Sequence, residues 1–136
     1  GTFQPVSAER VSDHVMHEER YVLTPDAAAE INRCRAAGGR VVAVGTTCVR
    51  TLETCAAADG SVAPGSGRTD LFMHPPYQPK AVDMLLTNFH LPRSTLLMLV
   101  SCFLPREQLF AAYRLAIKEG FRFYSYGDCM LVSSEF

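Results

Sequence analysis

The sequence predicts an α/β domain with a largely parallel sheet, and three observations carry that prediction. Short apolar runs of strand length alternate along the chain with stretches that hold helix start and stop signals. Arg40 to Val44 is, after its arginine, continuous in β-branched and small apolar residues, the pattern of a buried strand. At 136 residues and 48% hydrophobic content, the chain has room for one domain with a real core, treated as a single region from 1 to 136.

The elements follow in order. Val15, His17, Glu19, Tyr21 and Leu23 alternate, so Val15 to Leu23 reads as a strand with one polar-rich side. Thr24-Pro25-Asp26 is a helix start, with Thr24 at the N-cap, Pro25 at the first helical position and an acid in the first turn. Ala27, Ile31 and Cys34 form the apolar stripe of that helix, and Gly38-Gly39 ends it. After the strand Arg40 to Val44, Gly45-Thr46-Thr47 opens a helix from about Cys48 to Ala58, with one threonine expected as its cap. Gly60 to Arg68 is rich in Gly, Ser and Pro and reads as a surface loop. Thr69 to His74 and Val82 to Thr87 read as strands. Ser94 caps a helix from Thr95 to Phe103, and a further helix runs from about Arg106 to Lys118 with Leu109, Tyr113, Ala116 and Ile117 on its apolar face. Phe121 to Tyr126 and Cys129 to Val132 read as strands joined by Gly127-Asp128.

The totals exclude some classes. A formal net charge of −1 means no overall basic field, although a local patch is compatible with it. No run of 18 apolar residues exists, so no membrane-spanning helix is expected, and nothing at the start resembles a signal peptide. The five cysteines contain no C-x-x-C pair, and Cys48 and Cys55 on one helix lie about 10 Å apart, too far for a disulfide. Buried thiols in a reducing cytoplasm are the expected state. Gly1 to Val6 looks like the middle of an ordered segment, and the expectation is a piece of a longer polypeptide.

Four stretches could carry chemistry. Leu86 to Thr95 sets Asn88, His90, Ser94 and Thr95 between an apolar strand and an apolar helix, where free backbone N–H groups suit an anionic group; the alternative is a plain strand-to-helix turn. Gly45, Thr46 and Thr47 end a buried strand, which is where ligands bind in open α/β sheets. Arg50 and Glu53 share a helical face and can form an ion pair. The segment is neither a P-loop nor a G-x-G-x-x-G fingerprint. His14, His17 and Glu19 hint at a metal, but strand geometry puts the two imidazoles on opposite faces, so no metal is expected. A His17/Glu19 pair suits proton transfer or edge packing. In Phe123 to Asp128, aromatic faces and a carboxylate could take a base and a ribose; the alternative is two core strands and a turn.

Together these segments resemble one family, the S-adenosylmethionine:tRNA ribosyltransferase-isomerases of queuosine biosynthesis. The matching residues are Gly1 to Val6; His14-Val15-Met16-His17 with Glu19 and Tyr21; Arg40 to Thr47 with Arg50 and Leu52-Glu53; Val82-Asp83; Thr87 to Pro92 with Ser94 to Ser101; Ala112-Tyr113; and Tyr124 to Asp128. They occur in the family's order across essentially the whole chain. Departures are Pro76 where glycine is usual, Cys102 and Cys129 where alanine is expected, and Tyr124 in place of phenylalanine.

The resemblance implies the carboxyl-terminal part of a larger α/β barrel-like domain, with the family's small β-barrel insert absent from this chain. It implies S-adenosylmethionine as ribosyl donor and tRNA bearing 7-aminomethyl-7-deazaguanine as acceptor, giving epoxyqueuosine, adenine and methionine. It further implies a cytoplasmic, monomeric full enzyme. The sulfonium acidifies the adjacent C5′ hydrogen, so a positioned base can begin the sequence, and adenine needs proton donation as it leaves. On that reaction His90 or His17 is the expected proton-transfer group, because imidazole titrates near neutral pH. Asp128 is expected on ribose or adenine. Gly45, Thr46, Thr47, Asn88, Ser94, Thr95 and Tyr126 are expected to line the ligand, and Arg50 to meet a carboxylate or phosphate unless Glu53 occupies it. The competing expectations are a fragment that only binds or is inactive alone, and a methyltransferase-like module for the same donor.

Overall fold

The fold is that of a computed structural model, which describes residues 16–92 and 94–133. Val15 and His14 therefore lie outside the described residues, and with them the start of the first predicted strand and one member of the His14/His17/Glu19 group.

β1 (Glu19–Leu23) leads through the Thr24 cap into α1 (Pro25–Ala36), whose Ala27 N–H donates to Thr24 Oγ1 at 3.3 Å. The helix buries Ala28 rather than Ala27, and Cys34 is exposed, so its stripe sits one residue later than the spacing implies. Asn32 fixes it further, exchanging two 2.9 Å hydrogen bonds with the backbone of Val62. β2 (Val42–Val44) follows, then α2 (Thr46–Thr54). Neither threonine caps α2; the cap is Gly45 at φ 88°, a conformation glycine adopts without steric cost.

Gly65–Thr69, read from sequence as loop, is β3, antiparallel to β1. Its glycines suit the pairing: a Cβ at Gly67 would lie 3.4 Å from the Tyr21 ring directly opposite. The strand predicted for Thr69 to His74 ends at Thr69. Beyond it, side chains replace the ladder, because Leu71 N–H donates to Thr69 Oγ1 and Leu71 carbonyl accepts from Arg50 Nε.

β4 (Met84–Asn88), α3 (Thr95–Val100), α4 (Arg106–Lys118) and β5 (Cys129–Ser133) complete the order. α3 stops short of Phe103 in a turn. α4 has the predicted bounds and buries Leu109, Tyr113 and Ala116, while Ile117 faces out. Phe121 to Tyr126 is a turn and not a strand: Arg122 N–H donates to the Asp128 carboxylate, Tyr124 takes φ 62°, and the chain doubles back before β5.

Among the described residues there are two sheets, β1-β3 and β2-β4-β5. Only β2–β4 is parallel; β4–β5 and β1–β3 are antiparallel, so the sheets are mixed and open rather than largely parallel and barrel-like. One face of β2-β4-β5, with Ala43, Leu85 and Val132 in register, packs into the single core with Val49, Val100, Phe103 and Leu109. On the other face Val42 and Val44 are exposed, so β2 is buried on one side only, while Met84 and Ser133 across from Val42 are buried. The thiols are free, but Cys34, Cys48 and Cys129 are exposed and only Cys55 and Cys102 are half-buried.

Candidate active site at one end of the three-stranded sheet

Strand register brings three separate loops to one end of β2-β4-β5. Val44 pairs with Leu86, and the next residue, Gly45, donates its N–H to Leu86 carbonyl at 2.9 Å. Asn88 pairs with Cys129, and its side-chain amide donates to Asp128 carbonyl at 3.1 Å. The carboxyl ends of parallel β2 and β4 and the amino end of antiparallel β5 therefore meet. They place Gly45-Thr46-Thr47, Asn88-Phe89-His90 and Tyr126-Gly127-Asp128 around one rim, the position where α/β sheets hold ligands.

The β4 exit is held rigidly. Phe89 stacks among Phe123, Tyr113 and Phe121 at ring separations of 5.0, 5.3 and 5.8 Å. Its carbonyl accepts from Tyr124 N–H at 2.9 Å, tying the 121–128 turn to this loop. His90 N–H donates to Tyr113 Oη at 2.8 Å, and His90 Nε2 shares a 2.9 Å hydrogen bond with Thr87 Oγ1. His90 is 8% exposed, and burial pushes its pKa from 6.5 down to about 4. The ring is thus neutral at pH 7 and does not titrate near neutrality as its type alone implies. It remains a hydrogen-bonding group.

Asp128 faces Arg122, whose Nε and Nη2 lie 3.2 and 3.3 Å from its carboxylate. These hydrogen bonds hold its pKa below the usual carboxylate range, so the group is an anion with part of its acceptor capacity taken. Ser94 caps α3, its Oγ accepting from Leu97 N–H at 3.2 Å and donating to Leu91 carbonyl at 2.8 Å. That hydroxyl is committed within its own turn. Thr95 opens the helix half-buried, Thr47 is exposed, and Tyr126 is 73% exposed.

Two predicted members lie elsewhere. His17 is exposed, two residues before β1 on the other sheet. Arg50 is 6% exposed and makes no pair with Glu53; its Nη1 meets Glu19 at 2.9 Å and its Nε bonds Leu71 carbonyl at 3.2 Å. Arg50 thus ties α2 to β1. Its carboxylate partner is Glu19, the residue expected beside His17. Glu53 turns instead to the 77–82 loop, accepting from the N–H groups of Lys80, Ala81 and Val82 and from Tyr77 Oη. No spacing rule pairs Glu53 with residues 24 to 29 positions away.

Sequence reasoning also missed Thr87, Tyr113 and Arg122 as supports of this rim. A buried hydroxyl three residues before His90 is the one readable hint. Among the described residues no three His, Cys, Asp or Glu side chains converge, and no helix is long and apolar enough to cross a membrane. An open depression lined by Asn32, Arg35, Asp59, Ser61 and Asp83 lies at the opposite, amino end of β2 and β4.

The family described as "Queuosine biosynthesis protein" matches residues 1–132. An S-adenosylmethionine:tRNA ribosyltransferase-isomerase of Moorella thermoacetica is 64% identical over 97% of this chain, and one of Geobacter sulfurreducens is 58% identical over 97%. The match covers 39% and 38% of those proteins, so the chain spans about two fifths of their length. The crystal structure of an S-adenosylmethionine tRNA ribosyltransferase from Thermotoga maritima superposes with a TM-score of 0.77 at 49% identity, over 82% of this chain and 39% of that one.

Proposed function

This chain belongs to the queuosine biosynthesis protein family, and from that membership we propose that it supplies one wall of the active site of an S-adenosylmethionine:tRNA ribosyltransferase-isomerase. In this reading the sulfonium nucleoside is the donor substrate and the aminomethyl group of a 7-deazaguanine in tRNA the acceptor. The observation that carries the reading is the register of β2, β4 and β5, which gathers Gly45, Asn88, His90 and Asp128 at one strand end.

The residues divide the work as follows. Gly45 lets a ligand approach the backbone after β2, and Thr46, Thr47, Asn88, Thr95 and Tyr126 offer polar atoms and an aromatic face around it, while Ser94 serves the rim as the cap of α3. Asp128, kept anionic by Arg122, accepts from ribose hydroxyls or the adenine amine. His90, neutral at pH 7, hydrogen-bonds the reacting nucleoside, and His17 joins only if chain outside the described residues brings ligand to it. Arg50 acts through the β1–α2 contact rather than on ligand.

The decisive test uses a family-length polypeptide carrying this segment, with adenine release from S-adenosylmethionine as the readout. His90→Ala should lower turnover by about a hundredfold or more, and near-native turnover would remove His90 from the chemistry. A second reading, that this segment alone binds without turning over, is favoured by its span of 39% of its relatives. Adenine release by the 136-residue chain alone would end it.

A further inference from the structure

We propose that Thr87 is a positioning residue that locks His90 in the Nδ1–H tautomer, so that His90 meets the nucleoside as a neutral hydrogen-bond donor and not as a base. The inference rests on the reading of His90 given above and assigns its proton.

The argument is one of satisfied groups. Thr87 is the next-to-last residue of β4, paired to Met130, and it is buried. A buried hydroxyl hydrogen needs an acceptor. Among the described residues the single hydrogen-bond partner of Thr87 Oγ1 is His90 Nε2, at 2.9 Å. If Nε2 carried the proton, the ring would donate to the hydroxyl, and the hydroxyl's own hydrogen would be left with no acceptor in a dry site. If Thr87 donates, both groups are satisfied, Nε2 is the lone-pair nitrogen, and the proton of the neutral ring must sit on Nδ1.

Nδ1 is the free end. It has no hydrogen-bond partner among the described residues, yet the one fully buried polar side-chain atom left unpaired there is Arg50 Nη2. Nδ1 is therefore the ring nitrogen left to meet a ligand. The backbone that carries the ring is fixed, because Tyr113 Oη accepts from the His90 backbone N–H at 2.8 Å and the aromatic cluster around Phe89 holds the adjoining residue. A neutral imidazole donating from a fixed nitrogen suits an acceptor that gains negative charge during reaction, such as a purine ring nitrogen losing its bond to ribose.

Nitrogen-15 NMR of the imidazole in the 136-residue chain reads the tautomer without any turnover. The expected spectrum at pH 7 shows His90 Nδ1 as the protonated nitrogen and Nε2 as the lone-pair nitrogen. Thr87→Ser should preserve that assignment, and Thr87→Val should mix or reverse it. In the family-length polypeptide, Thr87→Val should lower kcat by about tenfold or more while KM for S-adenosylmethionine changes by less than about threefold. Thr87→Ser should restore most of kcat. A wild-type spectrum with the proton on Nε2 overturns the proposal, and so does Thr87→Val with the tautomer unchanged. Full turnover by His90→Ala would instead remove the proposed role of His90 and leave the tautomer result standing, so the two failures are distinct.

Discussion

At the scale of single residues, burial decides what chemistry remains. His90 is an imidazole by type and a neutral amide-like group by environment, because removing it from water penalises the charged ring. That has a pH signature in stability. Above pH 6.5 the ring is neutral in both folded and unfolded chains, and its full contribution is present. As pH falls from 6.5 toward about 4, the unfolded chain takes up a proton that the folded ring refuses, so stability drops. The shift from 6.5 to about 4 corresponds to about 3 kcal/mol lost across that window. In urea titrations at a series of pH values, His90→Gln should be flatter than wild type between pH 6.5 and 4 by that amount. Parallel curves would mean that the folded ring titrates as the unfolded one does. The sequence shows the imidazole and its loop, but not the Thr87 and Tyr113 contacts that fix its protonation. Asp128 was legible as an acid near the rim, while its Arg122 clamp arises from the turn the chain makes there.

At the scale of elements, the signals that read true are local ones. The Thr24 and Ser94 caps and the whole of α4 follow from nearby residues alone, and each is where the sequence places it. β3 was hidden because its Gly-Ser-Gly composition denotes a loop until Tyr21 is known to lie across from Gly67. Phe121 to Tyr126 looked like a strand because aromatic residues favour strands, but here the rings form a cluster around Phe89 and the backbone turns. Glu53 shows the same limit. On a helix it suggests a pair with Arg50, yet it is the acceptor that organises the 77–82 loop leading into β4. Among the described residues the buried carboxylate meets no cation, and three backbone N–H groups and the Tyr77 hydroxyl stand in for one. Glu53→Gln keeps the shape but loses the charge and replaces one acceptor with a donor facing N–H groups. It should cost about 3 kcal/mol by equilibrium unfolding. Hydrogen exchange at Lys80, Ala81 and Val82 should quicken more than exchange in α4. A loss under about 0.5 kcal/mol would show the loop to be held by packing alone.

At the scale of the whole molecule, the three-stranded sheet buries one face in the core and leaves part of the other exposed. The core row is Ala43-Leu85-Val132. The adjacent row, Val44-Leu86-Leu131, points the other way, and Val44 and Leu131 are 64% and 48% exposed, with Val42 beside them at 49%. A row of aliphatic side chains across a sheet is a covered surface in most folded proteins. β2 and β5 are also the outer strands of this sheet among the described residues, and open outer strands can pair with other chains. The chain matches about two fifths of the length of its relatives, so the same face in a longer family member has other polypeptide available to meet it. The isolated 136-residue chain should therefore associate with itself through this face. Sedimentation velocity across a dilution series should show the average mass rising with concentration. Val44→Lys combined with Leu131→Lys should abolish the rise, because charges on that row oppose burial without touching the core face. A family-length polypeptide with the same segment should stay monomeric over the same range. Monodisperse sedimentation of the unaltered short chain at every concentration would show that this aliphatic row is stable in water.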